Sequence, residues 1–386
     1  MRLLRRVPSQ RCDAFGAVAA ACLLSGEQIS RPGRQAGLDK GFRMARQHFT
    51  RFILSSEDEG MHPDEGRSNF NESMYFNLID PQQRVGGWFR VGNRPNEGHA
   101  EMSACVYLPD GRIGFMHRKP DIGGNTAFVA AGLEFSIREA FRTQAIAYRG
   151  ELCLMSNPQD MANPSRAFKE NPVVPCEISL ACEGVSPMHG GLRVMADGSP
   201  MPDLGFAKGH YEQHIAGSGY ITVDGVRFDV TGFGLRDHSW GPRNWSSIPW
   251  YRWLPINFGR DFAMMVSIVC LPNGFALPTG MVLRDGRYSD IEAATITPAW
   301  DAQHCQKSLQ IAVRSEDGDA YEIEGSVLSL IPLRHRRTGK DGKEYLTRIA
   351  EGFTEYRCNG MTGFGISEFL DQVDEAGIPL SLHTAP

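Results

Sequence analysis

Within residues 232–245 the chain sets Arg236, Asp237, His238, Trp240, Arg243 and Trp245 close together, a density of chemical groups found nowhere else in it. An imidazole beside a carboxylate suits proton transfer, guanidiniums orient polar groups, and indole faces stabilise positive charge. The preceding residues 220–230 read as a hairpin whose Asp224-Gly225 pair fits a two-residue turn with positive φ, so the motif starts on a strand. Alternate strand residues share a face, which puts Gly232, Gly234, Arg236, His238 and Trp240 on one side and Leu235, Asp237 and Ser239 on the other. The two glycines predict open space beside His238, making this face one wall of a cavity, with Gly241-Pro242 ending the strand. A barrel corner that uses the glycines to bend and the tryptophans as core would carry the same residues.

Two further segments concentrate polar groups between apolar runs. Residues 71–75 contain Glu72 and Tyr75, and residues 92–101 contain Asn96, Glu97, His99 and Glu101. They form either a wall facing Asp237 and His238 or a polar loop with a solvated strand end. His210, Glu212 and His214 also alternate. Two imidazoles and a carboxylate are a combination used by non-haem iron sites, although three ligands from one strand crowd a single ion, and a hydrogen-bonding patch explains them as well. No metal and no cofactor are expected.

Other chemistries lack their motifs. There is no nucleophile elbow, Walker loop or dinucleotide fingerprint, and Ser239 points away from its neighbour His238. A formal charge of −5 and the lack of a long basic block argue against nucleic acid as a partner. The nine cysteines are scattered and odd in number, which speaks against a disulfide framework and suits a reducing cytoplasm. The apolar run at 14–24 is too short for a stable membrane span. Residues 1–54 read as a poorly ordered leader or a start upstream of the true one. No oligomeric state follows from the sequence.

Asp-Gly or Asn-Gly pairs recur at 110, 197, 224, 273, 285, 317 and 341, mostly between strand-like runs, the pattern of an antiparallel, hairpin-rich, all-β protein. Only residues 37–52 and 366–374 suggest helices. The echo of Leu-Pro-Asp-Gly at 108–111 and Leu-Pro-Asn-Gly at 271–274 hints at two related β units. A proline-bearing linker after the 232–245 motif divides the chain into 55–243 and 244–386.

The run Gly-Phe-Gly-Leu-Arg-Asp-His-Ser-Trp-Gly-Pro-Arg resembles the signature of the AttH-like superfamily, which includes carotenoid hydratases (hydroxyneurosporene synthases) and is distantly similar to tocopherol cyclases. Asn-Glu-Ser-Met-Tyr at 71, Gly-Asn-Arg-Pro-Asn-Glu-Gly-His-Ala-Glu at 92 and Gly-Phe-Gly-Ile-Ser-Glu at 363 resemble a bacterial branch of it whose reactions are mostly unassigned, and the likeness covers about 55–370. The resemblance implies two tandem lipocalin-like (calycin-type) antiparallel β-barrels. It also matches His238 and Trp240 to the His-x-Trp pair of the hydratases, while their Tyr-x-Asp pair has no counterpart in Ala263-Met264-Met265-Val266-Ser267.

Together these readings predict a cofactor-independent lyase or isomerase that hydrates, dehydrates or rearranges a hydrophobic terpenoid, steroid or aromatic compound between two barrels. His238 is the first candidate for general acid or base. Asp237, with Arg236 and Arg243 near in sequence, is expected to stay ionised and to orient. A desolvated carboxylic acid, Glu72, Glu101 or Glu368, would donate the proton, and Trp240 and Trp245 would stabilise a cation. The alternative is a non-catalytic carrier of a hydrophobic ligand.

Overall fold

The computed structural model describes residues 49–195, 206–245, 247–271, 273–338, 344–374 and 377–382. Residues 1–48, most of the expected leader, and the turns at 197 and 341 lie outside these. Contacts divide the chain into two units. Phe52–Arg193 and Pro200–Pro386 make up the main one; of the other, the described residues Phe49, Thr50, Arg51, Val194 and Met195 are extended.

The strands run in chain order as β1 (Phe49–Ile53), β2 (Phe70–Asp80), β3 (Val85–Arg94), β4 (His99–Tyr107), β5 (Ile113–Arg118), β6 (Val129–Ala130), β7 (Leu133–Glu139), β8 (Thr143–Met155), β9 (Val173–Gly184) and β10 (His189–Met195). They continue as β11 (Gly209–Val223), β12 (Val226–Pro242), β13 (Trp250–Asn257), β14 (Phe262–Cys270), β15 (Ala276–Arg284), β16 (Arg287–Trp300), β17 (Gln306–Ser315), β18 (Ala320–Thr338), β19 (Glu344–Cys358) and β20 (Met361–Val373). β13 to β20 pair in sequence order, and β20 returns to β13 to close a barrel. The first sheet holds a matching ring. β2, β3, β4, β5, β8, β9, β11 and β12 pair successively, β9 bridges β8 and β11, and β12 returns to β2. Two up-and-down antiparallel barrels therefore stand in tandem, as the family resemblance implied, and both are antiparallel as the hairpin spacing implied.

Asp224-Gly225 and Asp285-Gly286 have both residues at positive φ, the geometry that two-residue hairpin turns require, and so does Asn359-Gly360, a pair the sequence reading passed over; at 110, 273 and 317 only the glycine is at positive φ. The two Leu-Pro-Asx-Gly turns follow β4 in the first barrel and β14 in the second, so they occupy inequivalent places. The helix expected at 366–374 is instead strand β20, because Ile366 and Glu368 face out of the barrel while Phe369 and Asp371 face in; tertiary pairing overrides a helical-looking spacing. The described end of the 37–52 candidate is likewise strand.

Each barrel has its own apolar core. Met74, Phe76, Phe89, Met102 and Ile215 fill the first, and Leu254, Met264, Val282, Ile311 and Phe369 the second. A third cluster joins their outer walls: Tyr75, Trp88, Tyr107 and Phe115 from the first barrel pack with Ile331, Phe353, Phe364 and Ile366 from the second. Cys105, Cys153, Cys176, Cys182, Cys270, Cys305 and Cys358 are free and buried. Among the described residues, no helix is long and apolar enough to cross a membrane.

Candidate functional site

β12 divides its residues as strand alternation requires, but each face looks where the sequence did not show. Arg236, His238 and Trp240 point into the first barrel. Arg236 is fully buried, donating to both oxygens of Glu59 (3.1 and 2.5 Å) and to Gln213 Oε1 (2.9 Å). His238 is also fully buried, with Nε2 2.6 Å from Glu72 Oε1 and Nδ1 3.0 Å from the Tyr211 hydroxyl. The expectation that His238 faces a hollow shared by the two barrels is corrected: its ring lies inside the first. The glycines do not open space either. A Cβ on Gly232 would stand 2.0 Å from the Ile79 carbonyl and one on Gly234 1.8 Å from that of Asn77, so both glycines serve the close approach of β2.

Leu235, Asp237 and Ser239 face the second barrel. Leu235 packs on Met265 and Met281, and Ser239 accepts a 2.7 Å hydrogen bond from Arg243. Asp237 sits opposite Glu212 in the β11–β12 register. Burial and the nearby Glu212 charge push its carboxyl up to about 8, against the expectation of a permanently ionised group. The sequence neighbour Arg236 gives it no support, being on the other face and committed to Glu59.

Across the seam, β13, β19 and β20 present Tyr251, Trp253, Glu351 and Glu368. Glu351 and Glu368 are directly paired on β19 and β20, so two carboxylates share one site. Glu351 stands well above the usual carboxylate range through burial and the Glu368 charge. Glu368 is raised by burial, although the Tyr251 hydroxyl donates to its Oε1. One oxygen of Glu351 has no hydrogen-bond partner. Burial lifts Glu212 to about 7 despite a 2.7 Å hydrogen bond from Trp253 Nε1. Asp237, Arg243, Tyr251, Trp253 and Glu368 lie deep between the barrels yet keep part of their surface accessible, and this partly accessible polar seam is here called the recess. Tyr75 is edge-on to Trp253 at 5.4 Å, and the Arg243 guanidinium lies over the Trp245 ring at 5.1 Å.

The remaining candidates separate. Glu101 is bound by Arg90 (3.3 Å), Arg94 (3.4 Å) and Lys119 (3.2 Å), and although burial opposes it, these cations hold the carboxyl far below its usual range. Glu72 is raised by burial but lowered more by hydrogen bonds from His238 and His62, with a net lowering. Neither suits proton donation, which corrects two of the three expected donors. Asn96 and Glu97 are exposed, bonded to the Arg67 carbonyl and to Arg94; His99 Nδ1 lies 3.3 Å from the Glu97 carbonyl, so this segment is not a wall of the recess. His210, Glu212 and His214 share a face without converging: His210 Nε2 is 3.9 Å from Glu212, and His214 Nδ1 bonds Tyr288 at 2.9 Å.

A different set does converge. His62, Glu72 and His238 bring their ligand-capable atoms within 4.8 Å of one another. The short 3-10 turn Ser56–Glu59 carries Asp58 and Glu59 to the barrel mouth, and His62 follows it, stacked on Trp240 at 3.9 Å. Asp58, His62 and Trp240 line a cleft of about 160 Å³ there, together with Phe70, Leu192 and Lys208. His62, Tyr251 and Glu351 escaped the sequence reading. Glu351 left a signal, a lone carboxylate in the apolar run Ile349-Ala350-Glu351-Gly352-Phe353, whereas His62 lies in a Pro-Asp-Glu-Gly loop that has none.

The twin-barrel fold has a counterpart among solved structures. A crystal structure assigned as AttH from Nitrosomonas europaea superposes with a TM-score of 0.53 at 14% identity, covering 83% of this chain and 96% of that one. Looser likenesses are CghA (TM-score 0.44, 11% identity, 78% of this chain and 88% of that one) and kievitone hydratase from Nectria haematococca (0.45, 9%, 83% and 96%). No curated protein matches the sequence. The chain belongs to the family described as Domain of unknown function (DUF7064), whose model matches residues 55–373.

Proposed function

We propose that the chain is a cofactor-independent lyase or isomerase whose reaction takes place in the recess between the two barrels. The observation that carries this reading is the Glu351–Glu368 pair, two carboxyls directly opposed and desolvated at the seam, where burial and the facing carboxyl favour the protonated form. A retained proton is what hydration, dehydration or double-bond migration needs from an acid. Glu368, partly accessible and bonded to Tyr251, is the donor, and Glu351 behind it sustains the proton.

Trp253 and Tyr75 give the recess aromatic walls, and Trp245 stands beside Arg243. Such a lining favours a hydrophobic terpenoid, steroid or aromatic substrate, with burial worth about 0.8 kcal/mol per methylene and with π faces ready for a developing cation. Asp237 and Glu212 take up or relay the proton on the first-barrel side.

The test starts from compounds extracted from natively purified protein, identified by mass spectrometry and incubated with wild type and Glu368→Gln. The variant should bind equally but turn over about 10²–10⁴-fold more slowly. Equal turnover by both proteins would remove Glu368 as donor, and binding without turnover by the wild type would make the chain a carrier.

A further inference from the structure

The loop after Ser56–Glu59 and the nearby β2, together with the sequence-distant β12, deliver His62, Glu72 and His238 to one point in the first barrel. His62 Nδ1 at 2.9 Å and His238 Nε2 at 2.6 Å both aim at the same Glu72 Oε1. Each group is also held from behind. His62 Nε2 meets Asp58 Oδ1 at 3.1 Å, His238 Nδ1 meets the Tyr211 hydroxyl at 3.0 Å, and Glu72 Oε2 accepts from the His62 backbone N–H (2.8 Å) and Asn125 Nδ2 (3.1 Å). Metal-binding imidazoles characteristically carry such a polar partner on the far nitrogen, which fixes tautomer and ring orientation.

We propose that His62, Glu72 and His238 bind a divalent first-row transition cation, in a site separate from the seam recess. Two imidazoles and one carboxylate suit zinc or iron. His62 has a carboxylate oxygen at each ring nitrogen, Glu72 at Nδ1 and Asp58 at Nε2. A cation between Nδ1 and Glu72 leaves a neutral ring that donates from Nε2 to Asp58, while His238 donates from Nδ1 to the Tyr211 oxygen. Trp240 stacked on His62 and Phe128 edge-on to His238 at 5.1 Å fix both ring planes. Three protein ligands leave a coordination position open, and the cleft beside His62 and Trp240 gives water or a small oxygen ligand access to it.

Full-length protein stripped with a chelator and titrated with Co²⁺ should develop a visible absorption band that Zn²⁺ displaces, and saturating Zn²⁺ should raise the melting temperature. His62→Ala, at the least buried ligand, should weaken Co²⁺ binding more than tenfold while keeping the wild-type far-ultraviolet spectrum. Asp58→Asn, a positioning residue, should weaken it about 10–100-fold and shift the band. His210→Ala should bind as wild type. A folded wild type with neither a Co²⁺ band nor a Zn²⁺-dependent rise in melting temperature overturns the proposal. So does a folded His62→Ala with unchanged affinity, or loss of the band in His210→Ala.

Discussion

A buried carboxyl reports its surroundings through the direction in which its proton affinity moves, and this chain contains both directions. Glu101 and Glu351 are both buried acids on the outer faces of barrels; three cations surround the first, while a second carboxyl faces the other. Because Glu351 binds its proton more tightly folded than unfolded, the native state holds more protons between the ordinary value of about 4.3 and the raised one. Its stabilising contribution is full below the unfolded value and is lost as pH rises through the folded one. Glu351→Gln removes this titration and relieves Glu368 in the same sense. Its melting temperature should therefore gain on that of the wild type as pH rises above about 5. Parallel melting curves across that range would show that the pair ionises freely.

Strand alternation made the two faces of β12 legible from sequence, since Asp237 and His238 do point oppositely. What it could not fix is which face meets which barrel: that depends on β2, whose pairing partner lies more than 150 residues away in the chain. The glycines of the motif suggest space in the sequence and are points of contact in the fold. A Cβ at Gly234 would lie 1.8 Å from the Asn77 carbonyl, a backbone atom that cannot turn aside, so Gly234→Ala must push β2 from β12 and disturb the hydrogen bond from the Leu235 N–H to Asn77 Oδ1. The expected loss is at or above the upper end of the about 1–3 kcal/mol typical of overpacking. Gly123 has no positive φ, and a Cβ added there would meet nothing within 4 Å, so it should accept alanine without measurable cost. Urea midpoints for the two variants decide the point, and equal midpoints would mean that β12 yields more easily than its packing suggests.

At the scale of the whole molecule, the hairpin turns announced an antiparallel all-β chain and the family resemblance two barrels, but nothing local announced how they meet. The seam is built from residues whose alternation marks them as outward-facing, Trp88, Tyr107, Phe353 and Ile366 among them, and their apolar character is the trace the sequence carried of a partner surface. Phe353 stands at its centre, 3% exposed, with its ring 5.6 Å from Tyr107 and 5.9 Å from Phe364. The Tyr107 hydroxyl crosses to the Glu351 carbonyl at 3.2 Å, and Trp253 crosses to Glu212, so apolar and polar contacts tie the same two walls together. Coupling of this kind predicts that the barrels unfold as one unit. Phe353→Ala should cost about 3–5 kcal/mol, the range for a large side chain deleted from a core, and should lower tryptophan fluorescence and far-ultraviolet transitions together. A variant that loses one transition while the other stays at its wild-type midpoint would mean that each barrel is stable alone, and that the acids of the recess are held in register by something other than this seam.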